Sequence, residues 1–222
     1  MSLLTRRSFA TGTAALALLP AAPALAGAAS RAFSVMVGST RIGTHTVAVQ
    51  PAADGGTVAT SVIDIAAKDP VGLFTLYRYA LNCTETYDAS GTLVSMEGQC
   101  DDDGDPHFVN VTRQGDALSV SGSSYTGPAP LASGVASYWR REALGRTPWI
   151  STQSGLLFAV SATPAQVSDA PAGATAYRVT DNGEYTVDIF YDSRGEWIGS
   201  GFDAKGWRIT MVYESETGAL QA

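Results

Sequence analysis

Beyond residue 30, apolar and polar positions alternate with period two almost to the end of the chain. That is the pattern of half-buried β-strands. Phe33, Val35 and Val37 alternate with Ser34 and Met36, and His45, Val47 and Val49 follow after a turn at Gly38 to Gly43. Asp54-Gly55-Gly56 marks a hairpin before a strand from Thr57 to Ala66. A long strand spans Leu73 to Tyr87, and Ala89-Ser90-Gly91 turns it into Leu93 to Cys100. Strands at His107 to Thr112 and Leu118 to Ser121 come next. Near the C-terminus, Tyr177 to Val179, Val187 to Tyr191, Trp197 to Phe202 and Trp207 to Tyr213 alternate in the same way, and the first two meet at the turn Asp181-Asn182-Gly183.

About a dozen short strands with Gly- or Asn-centred turns predict an all-β antiparallel meander. A sheet of that many strands must curl, close or split. A barrel or strongly curved half-barrel is the expected architecture, and a two-sheet sandwich is the alternative. One short helix is predicted from Ser137 to Leu144, ended by Gly145. Gly127-Pro128-Ala129-Pro130 to Gly134 and Ser168 to Gly173 read as loops. Nothing marks a second domain.

The N-terminus breaks the alternation. Thr5-Arg6-Arg7-Ser8-Phe9 precedes an Ala- and Leu-rich stretch and Ala24-Leu25-Ala26, the order of a twin-arginine signal peptide over residues 1–26. Its apolar core is about half the ~20 residues needed to span a bilayer. Cleavage would leave residues 27–222 as one β-rich domain with no membrane anchor, periplasmic or secreted. The twin-arginine export machinery would be its first partner. Losing Arg6 and Arg7 takes the net charge from −7 to −9, which disfavours nucleic acid as a partner. Cys83 and Cys100 are the two cysteines of this exported chain, and spacing on the two arms of a hairpin suggests a disulfide.

The motif order resembles a family of exported, β-rich bacterial proteins of unassigned function. The resemblance is carried by Arg-Ile-Gly-x-His (Arg41 to His45), Tyr-Arg-Tyr and Thr-Glu-x-Tyr (Tyr77 to Tyr87), Asp101 to Asp105, Ser-Tyr-Trp (Ser137 to Trp139), Thr-Gln-Ser-Gly (Thr152 to Gly155) and Phe-Tyr-Asp-x-x-Gly-x-Trp (Phe190 to Trp197). It implies antiparallel β architecture and brings no activity or cofactor.

Nucleophile-elbow, Ser-x-x-Lys, zinc-protease, Cys-x-x-Cys and phosphate-loop motifs are all absent from the sequence. What remains comes from strand parity. The odd positions of the long strand, including Tyr77, Tyr79, Leu81, Cys83, Glu85 and Tyr87, share one mostly apolar face. His45 and His107 alternate in step with valines. His45, Glu85 and His107 are therefore the candidate catalytic residues, able to serve as an acid–base pair if they share a pocket. Tyr77, Tyr79, Tyr87, Tyr138 and Trp139 are the candidate ligand-binding walls. The competing reading makes each ionisable group a hydrogen-bonded structural residue. Two His and a carboxylate suffice for iron, but their scatter over three strands argues against it, so no metal and no cofactor are expected. Asp101-Asp102-Asp103-Gly104-Asp105 does not fit an EF-hand loop and reads as a tight turn. Tyr138-Trp139-Arg140-Arg141, with Arg146 and Trp149, reads as a lid over a pocket mouth or a cap on the core. Trp197, Phe202, Trp207 and Tyr213 are expected in the core. The leading functional expectation is a carrier of a small apolar ligand in a barrel cavity. A cofactor-free hydrolase or isomerase is the alternative, and an envelope interaction protein the third reading.

Overall fold

The computed structural model describes residues 28–68, 74–181, 185–218 and 220. The signal peptide, Leu73 and the Asn182-Gly183 pair lie outside the described residues. The first strands are β1 (Ala29–Val37), β2 (Thr40–Pro51), β3 (Thr57–Lys68), β4 (Thr75–Tyr87), β5 (Leu93–Asp102), β6 (Asp105–Gln114), β7 (Ala117–Gly122) and β8 (Thr126–Pro130). A second series comprises β12 (Ser161–Pro164), β13 (Thr175–Thr180), β14 (Thr186–Tyr191), β15 (Trp197–Ala204) and β16 (Trp207–Thr217). β16 pairs antiparallel with β1, so the two series join into one 13-stranded sheet running β12 to β16 and then β1 to β8. The sheet is not closed, and β8 and β12 are its edges. This is the curved half-barrel that the strand count predicts, and the sandwich alternative is excluded.

Between the two series, residues 131–160 form a plug. It holds β9 (Gly134–Val135), β10 (Trp149–Ile150), β11 (Leu157–Phe158) and a 3-10 turn, Arg141–Gly145. These short strands make their own three-stranded sheet. The plug packs on the concave face of the large sheet. Trp149 and Ile150 are fully buried in one cluster with Val47, Val109, Val120, Val187, Ile189 and Trp197. Each such side chain contributes about 1.5–3 kcal/mol by leaving water. Two glycines allow the approach. A Cβ on Gly98 would collide with the Thr152 carbonyl oxygen, and one on Gly122 with that of Ser154.

Four sequence expectations are corrected. The helix from Ser137 to Leu144 is only the 3-10 turn, because Tyr138 takes a left-handed φ of 66° that no helix accommodates. Gly127 to Pro130 is strand β8, not loop. Its prolines sit on the outer edge of the sheet, where a missing N–H costs no ladder bond. Trp207 is 62% exposed, since its strand position lies at the open mouth beyond the last core layer, and Tyr213 is also exposed. Cys83 and Cys100 are buried free thiols. Cys83 faces Gly98 and Cys100 faces Leu81. Such diagonal neighbours lie about 7 Å apart, whereas a bridge needs Cβ atoms about 4 Å apart.

Candidate functional site

The alternation of β4 places Leu81, Cys83, Glu85 and Tyr87 on the concave face, all buried. Glu85 is fully buried, and among the described residues no cation is bonded to it. It accepts a short hydrogen bond from the Tyr87 hydroxyl and longer ones of 3.4 Å from Trp139 Nε1. Ser137 donates to it as well. Burial pushes the carboxyl above its ordinary value, against the opposing effect of these donors and of the Arg140 charge. Three of its four partners, Ser137, Trp139 and Arg140, belong to the plug.

Arg140 and Arg141 tie the plug to opposite arms of the sheet. The Arg140 guanidinium lies 4.2 Å from the Tyr87 ring centre and donates to the Gly91 carbonyl at 2.9 Å. The side chain of Arg141 donates to the Tyr177 hydroxyl at 2.8 Å and lies 6.0 Å from the Tyr191 ring centre. Between them, Tyr138 turns into the interior. Its carbonyl accepts from the Tyr191 hydroxyl at 2.8 Å, and its own hydroxyl shares a 2.6 Å hydrogen bond with Tyr185. At the seam around Arg140, a cleft lined by Tyr87, Ser137, Arg140 and Arg146 has about 10 Å³ open to water. That is room for about one molecule.

The three candidate catalytic residues are not brought together. His45 faces Ile63, Ile63 faces Leu81, Leu81 faces Cys100, and Cys100 faces His107. The two histidines thus share a row but stand four strand spacings apart, about 19 Å along the sheet. Glu85 lies four residues further along β4 than Leu81, about 13 Å off that row. His107 points to the concave side as parity requires, but sits next to the Asp102–Asp105 turn and is 23% exposed. Its Nδ1 meets Ser123 Oγ at 3.2 Å, and its Nε2 lies 3.5 Å from Asp105.

His45 is buried on β2, with Nδ1 3.3 Å from the Met211 sulfur. Burial lowers its pKa to about 3, so the ring is neutral at any physiological pH. The candidate ligand walls are dispersed too. Tyr87 and Trp139 meet edge to face over Glu85, with ring centres 5.9 Å apart. Tyr138 packs against Trp149 and Trp197. Tyr79 hydrogen-bonds Cys100. Tyr77 lies at the mouth, donating to Asp102 at 2.7 Å beneath Lys205, whose ammonium is 3.9 Å from the ring centre. Parity identified the inward residues. It could not identify Arg140 and Arg141 as ties to separate arms, or Met211 as the partner of His45, because those contacts join segments far apart in sequence.

The curled, unclosed antiparallel sheet with an internal plug defines a β-barrel-like protein. The chain belongs to the family described as a domain of unknown function, DUF6134, whose model matches residues 33–214. Among solved structures, it is similar to a β-barrel-like protein of DUF1849 from Brucella abortus. That match has a TM-score of 0.58 at 9% identity and covers 85% of this chain and 96% of that one. A DUF1089 family protein from Pseudomonas aeruginosa matches with a TM-score of 0.40 at 14% identity, over 69% of this chain and 87% of that one. No curated protein matches the chain.

Proposed function

We propose that the protein is an exported, non-catalytic binding protein that takes a small apolar ligand between its concave sheet and its plug. The observation that carries this reading is the double tie of the plug. A segment that only filled the core would need apolar packing alone. Here Arg140 and Arg141 hold it to opposite arms, over a buried carboxyl that costs stability. Such polar contacts are worth little once water reaches them, which suits a segment that releases. The tyrosines and aliphatics of the concave face would then receive the ligand. Export through the twin-arginine machinery to the periplasm or beyond rests on Arg6 and Arg7. The hydrolase reading is not favoured, because His45, Glu85 and His107 stand on separate parts of the sheet.

Native mass spectrometry of protein purified from the cell envelope tests the proposal. We expect a retained apolar ligand, and faster ligand exchange in Arg140→Gln/Arg141→Gln. A bare mass, with no uptake of a fluorescent fatty acid by either protein, would overturn it. The envelope interaction reading has one observation of its own. Leu76 and Trp207, 65% and 62% exposed, stand at the mouth that carries the β15–β16 turn.

A further inference from the structure

We propose that Ser123 is a reactive serine, activated by His107 and Asp105, that accepts an acyl group from a small ester or thioester. Asp105 opens β6, His107 follows two positions later on the same face, and Ser123 lies in the turn between β7 and β8. Ser123 Oγ is 3.2 Å from His107 Nδ1. His107 Nε2 is 3.5 Å from Asp105 Oδ2. A hydroxyl beside a base, with the base beside a carboxylate, is the arrangement that makes a serine nucleophilic.

The tautomer follows from the charges. The Asp105 carboxylate favours a proton on Nε2, which leaves the Nδ1 lone pair to accept from the Ser123 hydroxyl. The Phe108 N–H approaches the same hydroxyl oxygen at 3.4 Å. Ser123 Oγ therefore donates to the base while a backbone dipole faces its lone pair, and that dipole stabilises negative charge developing on the oxygen. The turn is held in place as well. The Ser123 N–H donates to the Phe108 carbonyl at 3.0 Å, and the Ser124 N–H donates to the Ser154 carbonyl of the plug at 3.0 Å. The Tyr125 hydroxyl closes the turn by donating to the Pro128 carbonyl at 2.7 Å. A serine that only capped the turn would need no more than its Phe108 contacts. The imidazole and the carboxylate behind it go beyond that requirement.

Ser123 is exposed and Asp105 is 76% exposed, so the site is open to solvent. It suits modification by a small activated donor better than turnover of an enclosed substrate. In the step, Ser123 Oγ adds to the donor's carbonyl carbon as its proton passes to His107 Nδ1. The imidazolium, stabilised by Asp105, then gives that proton to the departing alkoxide or thiolate. The products are O-acylated Ser123 and a free alcohol or thiol, with no change of oxidation state. No part of this step requires the plug to move, so it stands apart from the ligand-binding proposal.

The test treats the mature protein with p-nitrophenyl acetate. The expected result is one equivalent of p-nitrophenolate released and one acetyl group, located by mass spectrometry on Ser123. Ser124→Ala, at the adjacent exposed hydroxyl, should leave the rate unchanged. His107→Gln keeps a hydrogen-bonding partner for Ser123 and is expected to fold, and it should slow transfer about 100-fold or more. Asp105 acts through His107 as a positioning residue. Asp105→Asn should slow transfer by less than about tenfold, because an exposed charge is heavily screened. It should also move His107 away from the Nε2–H tautomer, read by NMR of the ring nitrogens. No acetylation, acetylation elsewhere with Ser123 unmodified, an unchanged rate in His107→Gln, or an unmoved tautomer in Asp105→Asn would each overturn the proposal.

Discussion

Glu85 and Asp188 are both buried carboxyls, and their opposite surroundings give opposite pH dependences. Burial raises Glu85 against the opposing effect of its hydrogen-bond donors and of the Arg140 charge. A carboxyl raised on folding contributes stability below its unfolded value of 4.5, and that stability is lost as pH rises through the folded value. Glu85→Gln should therefore raise the Tm at pH 8 and leave it nearly unchanged at pH 4, by about 2–4 °C for each kcal/mol recovered. Burial also acts to raise Asp188, but Arg178 at 2.8 Å and Arg208 at 2.8 Å overcome it and hold the carboxyl below its ordinary value. Its stabilisation is complete at neutral pH and lost as pH falls through the depressed value. Asp188→Asn should cost about 1–3 kcal/mol at pH 7, read by denaturant unfolding, and much less near pH 2. The thiols give a third check. Burial pushes Cys100 up to about 11 and Cys83 higher still, so both should resist a thiol reagent at pH 8 until the protein unfolds. Rapid labelling of the native state would contradict the packing described. At this scale, the inward face of β4 was readable from parity alone. The partners were not, since His45 meets Met211 across 166 positions of chain and no local pattern encodes that contact.

Among the elements, legibility followed the regularity of the alternation. β3, β4 and β14 to β16 fell where period two put them. β8 was hidden by its prolines, which are acceptable there because β8 is an edge of the sheet. The plug was hidden for a different reason. Its strands are two residues long, too short to show any period, and its conformation is imposed by the sheet it fills. That dependence makes the glycines beneath it sensitive. Gly98→Val and Gly122→Val should each push the 152–155 segment off the sheet and cost about 1–3 kcal/mol or more. Hydrogen exchange should then rise first in the plug, while β2 and β3 stay protected. Loss of protection throughout the sheet would show that the plug is instead an inseparable part of the core.

For the whole molecule, the strand count was enough to predict a curled sheet, because so many antiparallel strands cannot stay flat and open. It left open whether the curl closes or stops at a half-barrel, and it did not reveal that the chain's own middle segment occupies the interior. The interior is therefore filled in this conformation, and the proposed ligand binding requires movement of the plug. Hydrogen exchange by mass spectrometry across residues 131–160, comparing the wild type with Arg140→Gln/Arg141→Gln, tests that movement most directly. The plug is expected to open as one unit, with its amides exchanging together and faster in the double variant, while β2 to β5 remain protected. Equal exchange in both proteins, or simultaneous opening of plug and sheet, would contradict it.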